Sequence, residues 1–285
     1  MSIRIITDSA ADLDTREFDE LQVELIPLSI NVGGRVYAAD KKFNKADYFR
    51  LLAESTVFPT TSQPAPADFE TVFAQAKARG DDIVYISISS ALSGTFQCAS
   101  IVRELGEYDN VYLVDSLSAT LGQKLLVLEA VRQRDAGASA AEIVETLTSL
   151  RSRIRVWAGV DTLEYLQKGG RLSKAAASVG SLARVKPILT VLPEGTVHVA
   201  GKALGKGKAI AQIVSMVEKD PPAEDYPLLG VYSGSDENLQ ELMTRAEKTG
   251  IHVPPEQQFS IGPVIGTHTG PGVYGFIYIA KEEQA

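Results

Sequence analysis

Strand and helix signals alternate through the first half of the chain, and that alternation leaves few architectures open. Residues 3–6 are a short β-rich run that stops at Thr7-Asp8-Ser9, and residues 23–30 are a second, mostly apolar run. Residues 67–79 place Phe69, Val72, Phe73 and Ala76 at helical spacing, and Gly80 ends the pattern. A strand signal follows at 82–88, a helix at 96–105 closed by Gly106, and a strand at 111–114. Residues 117–135 and 140–151 then read as two helices. Strands that return through helices predict a mainly parallel sheet with helices packed on it.

The second half reads differently. Residues 155–160 predict a strand and 162–168 a short helix ended by Gly169-Gly170. Two β-rich runs, 187–192 and 197–203, flank Pro193-Glu194-Gly195-Thr196, a hairpin signal. Helices are expected at 207–219 and 236–249, strands at 228–233, 259–265 and 273–280. The fold class expected is α/β in two domains. The first, residues 1–153, carries the mainly parallel sheet with flanking helices. The second, residues 154–285, is an α+β sandwich with antiparallel hairpins.

The 285 residues carry a net charge of −8, so the basic face of a nucleic-acid binder is not expected. A single cysteine, Cys98, excludes an intramolecular disulfide framework and fits a reducing cytosol. The first residues enter a strand pattern directly, so no signal peptide is expected. There is no apolar run long enough for a membrane-spanning helix.

Three strand tails in the first half end in small polar residues: Thr7-Asp8-Ser9, Ser89-Ser90 and Asp115-Ser116. If the strands are neighbours, the tails meet on one rim, where open α/β sheets bind ligands. The alternative is that each tail caps the helix after it. SSALSGT (residues 89–95) adds Ser90, Ser93, Thr95 and a flexible Gly94 before a helix starting near Phe96. Hydroxyl donors beside unpaired helix-end amides suit a carboxylate or phosphate, and suit an elaborate N-cap equally. PTTSQPAPADF (59–69) is a second such loop, with Thr60, Thr61 and Ser62; a Pro-rich turn is its plainer reading.

IGPVIGTHTGPGVYGF (261–276) reads as a Gly/Thr-rich loop holding His268, whose imidazolium would pair an anion near neutral pH. In LEYLQKGGRLS (163–173), Arg171 could clamp an anion or a partner, although local sequence favours a helix C-cap with solvated basic residues. GPGVYG matches a dinucleotide-binding string, but a strand follows it where that motif needs a helix. A Walker A loop, a G-x-S-x-G elbow and zinc-ligand spacing are all absent. Tyr85, Phe96, Tyr112 and Cys98 read as core.

Taken in order, TDSAADL, TTSQPAPADF, SSALSGTFQCA, VDS, LEYLQKGGRLS, VKPIL and IGPVIGTHTGPG resemble the DegV family over residues 7–275. The chain departs from the family pattern at Cys98 and in YAAD (37–40), neither of which is a candidate ligand hydroxyl. The resemblance implies a bacterial, cytoplasmic, non-catalytic carrier that binds one long-chain, palmitate-like fatty acid between its two domains. The carrier would present the carboxylate to a fatty acid kinase catalytic subunit and carry the acyl-phosphate onward. An acyltransferase of phospholipid synthesis and transient membrane contact complete the implied partners; no cofactor, metal or nucleic acid is implied. By the same resemblance Thr61, Ser93 and Ser62 bind the head group, His268 joins their network, and Arg171 serves the pocket mouth or kinase docking. Two alternatives remain: a phosphoryl- or acyl-transfer enzyme using Ser93 with His268, and a stand-alone acyl-lipid sensor.

Overall fold

A computed structural model of the chain describes residues 2–55, 57–172 and 184–282. The chain divides into two compact units. The first comprises residues 1–43, 61–152 and 193–195; the second comprises 44–60, 153–192 and 196–285.

The first unit is built on strands β1 (Ile3–Asp8), β2 (Val23–Ile26), β3 (Ser29–Val32), β4 (Arg35–Ala38), β5 (Thr60–Ser62), β6 (Asp82–Ser87) and β7 (Val111–Asp115). Its main sheet is fully parallel in the order β2-β1-β6-β7. The central strands β1 and β6 are buried along most of their length, and in β6 this shows as an unbroken apolar run, IVYI, rather than an alternating one. The helix Pro66–Arg79 starts with proline in its first turn, where the missing N–H costs nothing. Its Asp68 carboxylate accepts the Ala65 N–H at 2.9 Å, and Gly80 closes it in the left-handed region. Phe69 and Phe73 of that helix pack with Tyr85 of β6 and with Cys98 and Val102 of the helix Thr95–Leu105. Tyr85 and Cys98 are thus core residues, as expected.

The second unit holds β8 (Ile154–Gly159), β9 (Val185–Val191), β10 (Val197–Leu204), β11 (Leu229–Tyr232), β12 (Gln258–Ser260) and β13 (Tyr274–Ile279). They form a mixed sheet, β10-β9-β8-β13-β11-β12, with only the β11–β12 pair parallel. Helices Lys206–Lys219 and Glu237–Glu247 turn Ile210, Ile213, Val217, Leu239 and Leu242 onto β13, whose Tyr274, Phe276 and Tyr278 are buried. The α/β class and the contrast between a parallel and a largely antiparallel sheet agree with the sequence.

Three local expectations change, and one hairpin was not foreseen. The run at 23–30 is two strands, because Pro27 cannot donate to a ladder. Gly33 and Gly34, both at positive φ, then turn β3 into β4 as a hairpin. The helix expected from 117 begins at Leu121; residues 116–120 are an irregular loop with Leu117 and Thr120 at positive φ. The strand expected over 259–265 ends at Ser260, and Pro263 instead opens a helix, Pro263–Thr269. Among the described residues no helix is long and apolar enough to cross a membrane.

Candidate functional site

Strands β1, β6 and β7 are neighbours, so the three polar tails do lie along one sheet edge. Their side chains, Ser90 apart, are bonded mostly to backbone groups. Asp8 accepts the Ile88 N–H at 2.8 Å, the Ala10 N–H at 3.0 Å and the Tyr85 hydroxyl at 3.2 Å. Burial raises its carboxyl above the usual carboxylate range despite those donors. Ser9 Oγ accepts the Leu28 N–H, and Asp115 Oδ1 accepts the Ser90 and Leu117 N–H groups. Gln123, fully buried, donates to Thr7 Oγ1 and to the Ile86 carbonyl. The tails are therefore caps and braces for the loops above them.

Those loops carry the candidate ligand groups. Thr61 and Ser62 end β5, Thr61 half-buried and Ser62 exposed. Ser93 is half-buried in the turn before the helix Thr95–Leu105. A methyl at Gly94 would lie 2.2 Å from Gln63 Oε1, and the Cys98 thiol reaches the Pro64 carbonyl at 3.8 Å. The TTSQP and SSALSGT loops thus meet, as long-range contacts that no local pattern announces. Ser93 Oγ lies 2.8 Å from Thr95 Oγ1 and accepts the Thr95 N–H at 3.3 Å. With Thr95 as the donor of the pair, the Ser93 proton is available to an incoming acceptor. Uncharged hydroxyls at a helix start can hold a carboxylate by hydrogen bonds without a permanent ion pair.

The second unit holds Arg171 and His268 and brings them together at Gly169. The Arg171 guanidinium donates to the Gly169 carbonyl at 2.6 Å, and a methyl on Gly169 would fall 2.3 Å from His268 Nδ1. Burial pulls the Arg171 pKa down from its ordinary value. Ser173, the last residue of the LEYLQKGGRLS block, lies outside the described residues. His268 is helical rather than in a loop. The flanking Thr267 ties this helix to its neighbour: its hydroxyl bonds the Pro263 carbonyl at 2.7 Å and meets the Tyr48 hydroxyl at 2.6 Å. Tyr48 had no motif to mark it, only its place on the unforeseen helix Lys45–Glu54.

The expected imidazolium is also corrected. Burial, and secondarily the Arg171 charge, lower the His268 pKa from 6.5 to about 4, so the ring is neutral at pH 7. A folded-state value below the unfolded one means that the unfolded chain takes the proton first. The stability this ring contributes is complete above its unfolded value and drains as pH falls towards 4. A shift of this size corresponds to about 3 kcal/mol, most of it lost by pH 4. Urea denaturation of wild type and His268→Gln should therefore show the wild type losing about 2–3 kcal/mol relative to the variant between neutral pH and pH 4. A constant difference across that range would mean the ring is not held neutral.

Comparison with known proteins gives one consistent outcome. A family model described as "Uncharacterised protein, DegV family" matches residues 2–281. The DegV domain-containing protein YteA of Lactococcus lactis is 36% identical over 294 residues, covering 100% of each chain. A DegV family protein from Thermus thermophilus, described for its fatty acid binding, has 34% identity and a TM-score of 0.87, with 99% of this chain and 100% of that one covered. A stearic acid-binding protein from Eubacterium ventriosum has 26% identity and a TM-score of 0.85, with 99% of each chain covered.

Proposed function

This chain belongs to the DegV family, and from that premise we propose that it binds one long-chain fatty acid and holds the carboxylate with the hydroxyls of Thr61, Ser62 and Ser93. The observation that carries this reading is the meeting of the TTSQP and SSALSGT loops, which gathers hydroxyl donors at the start of one helix. The fatty-acid-binding relatives support the choice of ligand. A head group held by neutral donors is retained in an apolar setting yet released without breaking an ion pair, which suits a carrier.

The proposal extends to the ligand's fate. The protein would act in the cytoplasm, present the carboxylate to a separate fatty acid kinase subunit, and pass the acyl-phosphate to an acyltransferase with transient membrane contact. In this reading His268 joins the head-group network and Arg171 serves the pocket mouth or kinase docking. A transferase using Ser93 with His268 as base is disfavoured by the low His268 pKa, because a base that titrates near 4 is a weak proton acceptor at pH 7. Incubating the protein with ATP and palmitate discriminates between the readings. Acyl-phosphate should form only when a kinase subunit is added; its formation by this chain alone would remove the carrier reading.

A further inference from the structure

We infer that Ser89 and Gly195 are positioning residues for the Ser93 hydroxyl, an inference that rests on the head-group reading above. Ser89 is fully buried and engages every polar group it has. Its N–H donates to the Ser118 carbonyl at 2.8 Å. Its carbonyl accepts both the Leu92 N–H at 3.0 Å and the Ser93 N–H at 3.1 Å. Its hydroxyl donates to the Gly195 carbonyl at 2.9 Å and accepts the Ala91 N–H at 3.2 Å. One residue thus closes the turn from 89 to 93 and fixes the backbone that aims Ser93.

The parts that grip Ser89 are themselves over-determined. Gly195 sits at φ +83°, and a methyl there would fall 2.1 Å from Ser89 Oγ and 3.1 Å from Leu117 Cα. Glycine alone can offer its carbonyl in that place. Ser118 is held by Ser116, whose hydroxyl donates to the Ser118 carbonyl at 3.0 Å and accepts its N–H at 3.1 Å. Thr120, at φ 50° and ψ −133°, is pinned by the Ala10 carbonyl at 2.8 Å and by Asp12 Oδ2 at 2.6 Å. A β-branched residue persists there only because its surroundings enforce it, and such strain collects around binding sites. The irregular loop at 116–120 is therefore a rigid seat for Ser89.

The test is a double-mutant cycle read as palmitate affinity by calorimetry, using wild type, Ser89→Ala, Ser93→Ala and the double variant. Thermal unfolding of each checks that the fold is retained. Ser89→Ala should weaken palmitate binding by roughly threefold to tenfold, the cost of loosening the turn when both hydroxyl hydrogen bonds are lost. It should add nothing in the Ser93→Ala background, because its effect passes through that hydroxyl. A merely structural role gives the same loss in both backgrounds. That outcome, or no loss from Ser89→Ala at all, overturns the inference while the head-group reading stands. Unchanged affinity in Ser93→Ala alone overturns the head-group reading and the inference with it. Should Ser89→Ala fail to fold, Ser89→Cys, which keeps the shape of the side chain but weakens both hydrogen bonds, replaces it in the cycle with the same expected coupling.

Discussion

Replacing Thr61 and Ser93 together by alanine is expected to lower palmitate affinity about a hundredfold or more while leaving the protein folded. Each hydroxyl donates to a charged oxygen in the proposed complex. Hydrogen bonds to charged groups contribute about 1.5–3 kcal/mol each, so two removed together give about 3–6 kcal/mol. Both side chains are only half-buried and neither lies in the apolar core, so stability should move by roughly 1 kcal/mol or less. Thr61→Ser, which keeps the hydroxyl, should bind nearly as wild type. An affinity in the double alanine variant within about threefold of wild type would place the head group elsewhere, since less than ~1 kcal/mol would then have been lost.

Gly270→Ala is expected to destabilise the second unit by about 4 kcal/mol, summed from a strained backbone and an overpacked ring. Gly270 ends the helix Pro263–Thr269 at φ 73° and ψ −176°, a region open essentially to glycine alone. A methyl there would sit 2.4 Å from Cδ2 and 2.5 Å from Cε2 of Tyr165. The backbone cannot easily retreat. Its N–H donates to the Gly266 carbonyl at 2.8 Å, and its carbonyl accepts the Ser233 hydroxyl at 2.8 Å. Gly207→Ala is the control: nothing lies within 4 Å of the added methyl in the helix Lys206–Lys219, and stability should hold or rise slightly. Urea midpoints read both; a loss under about 1 kcal/mol at Gly270 would show that the turn relaxes freely.

These two glycines also mark what the sequence could and could not convey. The parallel sheet was legible because β6 carries an apolar run between two helices with clear punctuation, Pro66–Arg79 ended by Gly80 before it and Thr95–Leu105 ended by Gly106 after it. The helix carrying His268 was not legible. Its residues, PVIGTHT, are β-branched and glycine-containing, a poor helical sequence by propensity alone. Tertiary contacts override that preference, through Thr267 bonded to Tyr48 and the Gly266 backbone lying 2.8 Å (at an added Cβ) from Phe49. The Gly33–Gly34 hairpin did carry a local signal, two glycines between β-rich residues, which the sequence reading passed over.

The hydroxyl loops fall between these cases. SSALSGT and TTSQP each announced a helix start preceded by donors, and each was equally well explained as a cap. What the sequence could not show is that the two loops meet, through the contact of Gly94 with Gln63 and of Cys98 with Pro64, set by how the strands and helices pack. Within SSALSGT the hydroxyls now divide by work. Ser89 and Thr95 are fully buried and hold the turn and the helix start, and Ser93 is half-buried with its hydroxyl beside that of Thr95.

Native mass spectrometry of the purified protein tests the central claim most directly. Wild type should carry one long-chain fatty acid per chain, released intact by organic extraction, and Thr61→Ala/Ser93→Ala prepared in parallel should be empty or nearly so. Equal fatty acid occupancy in the two proteins, or a wild type that neither carries nor takes up palmitate, would contradict the account.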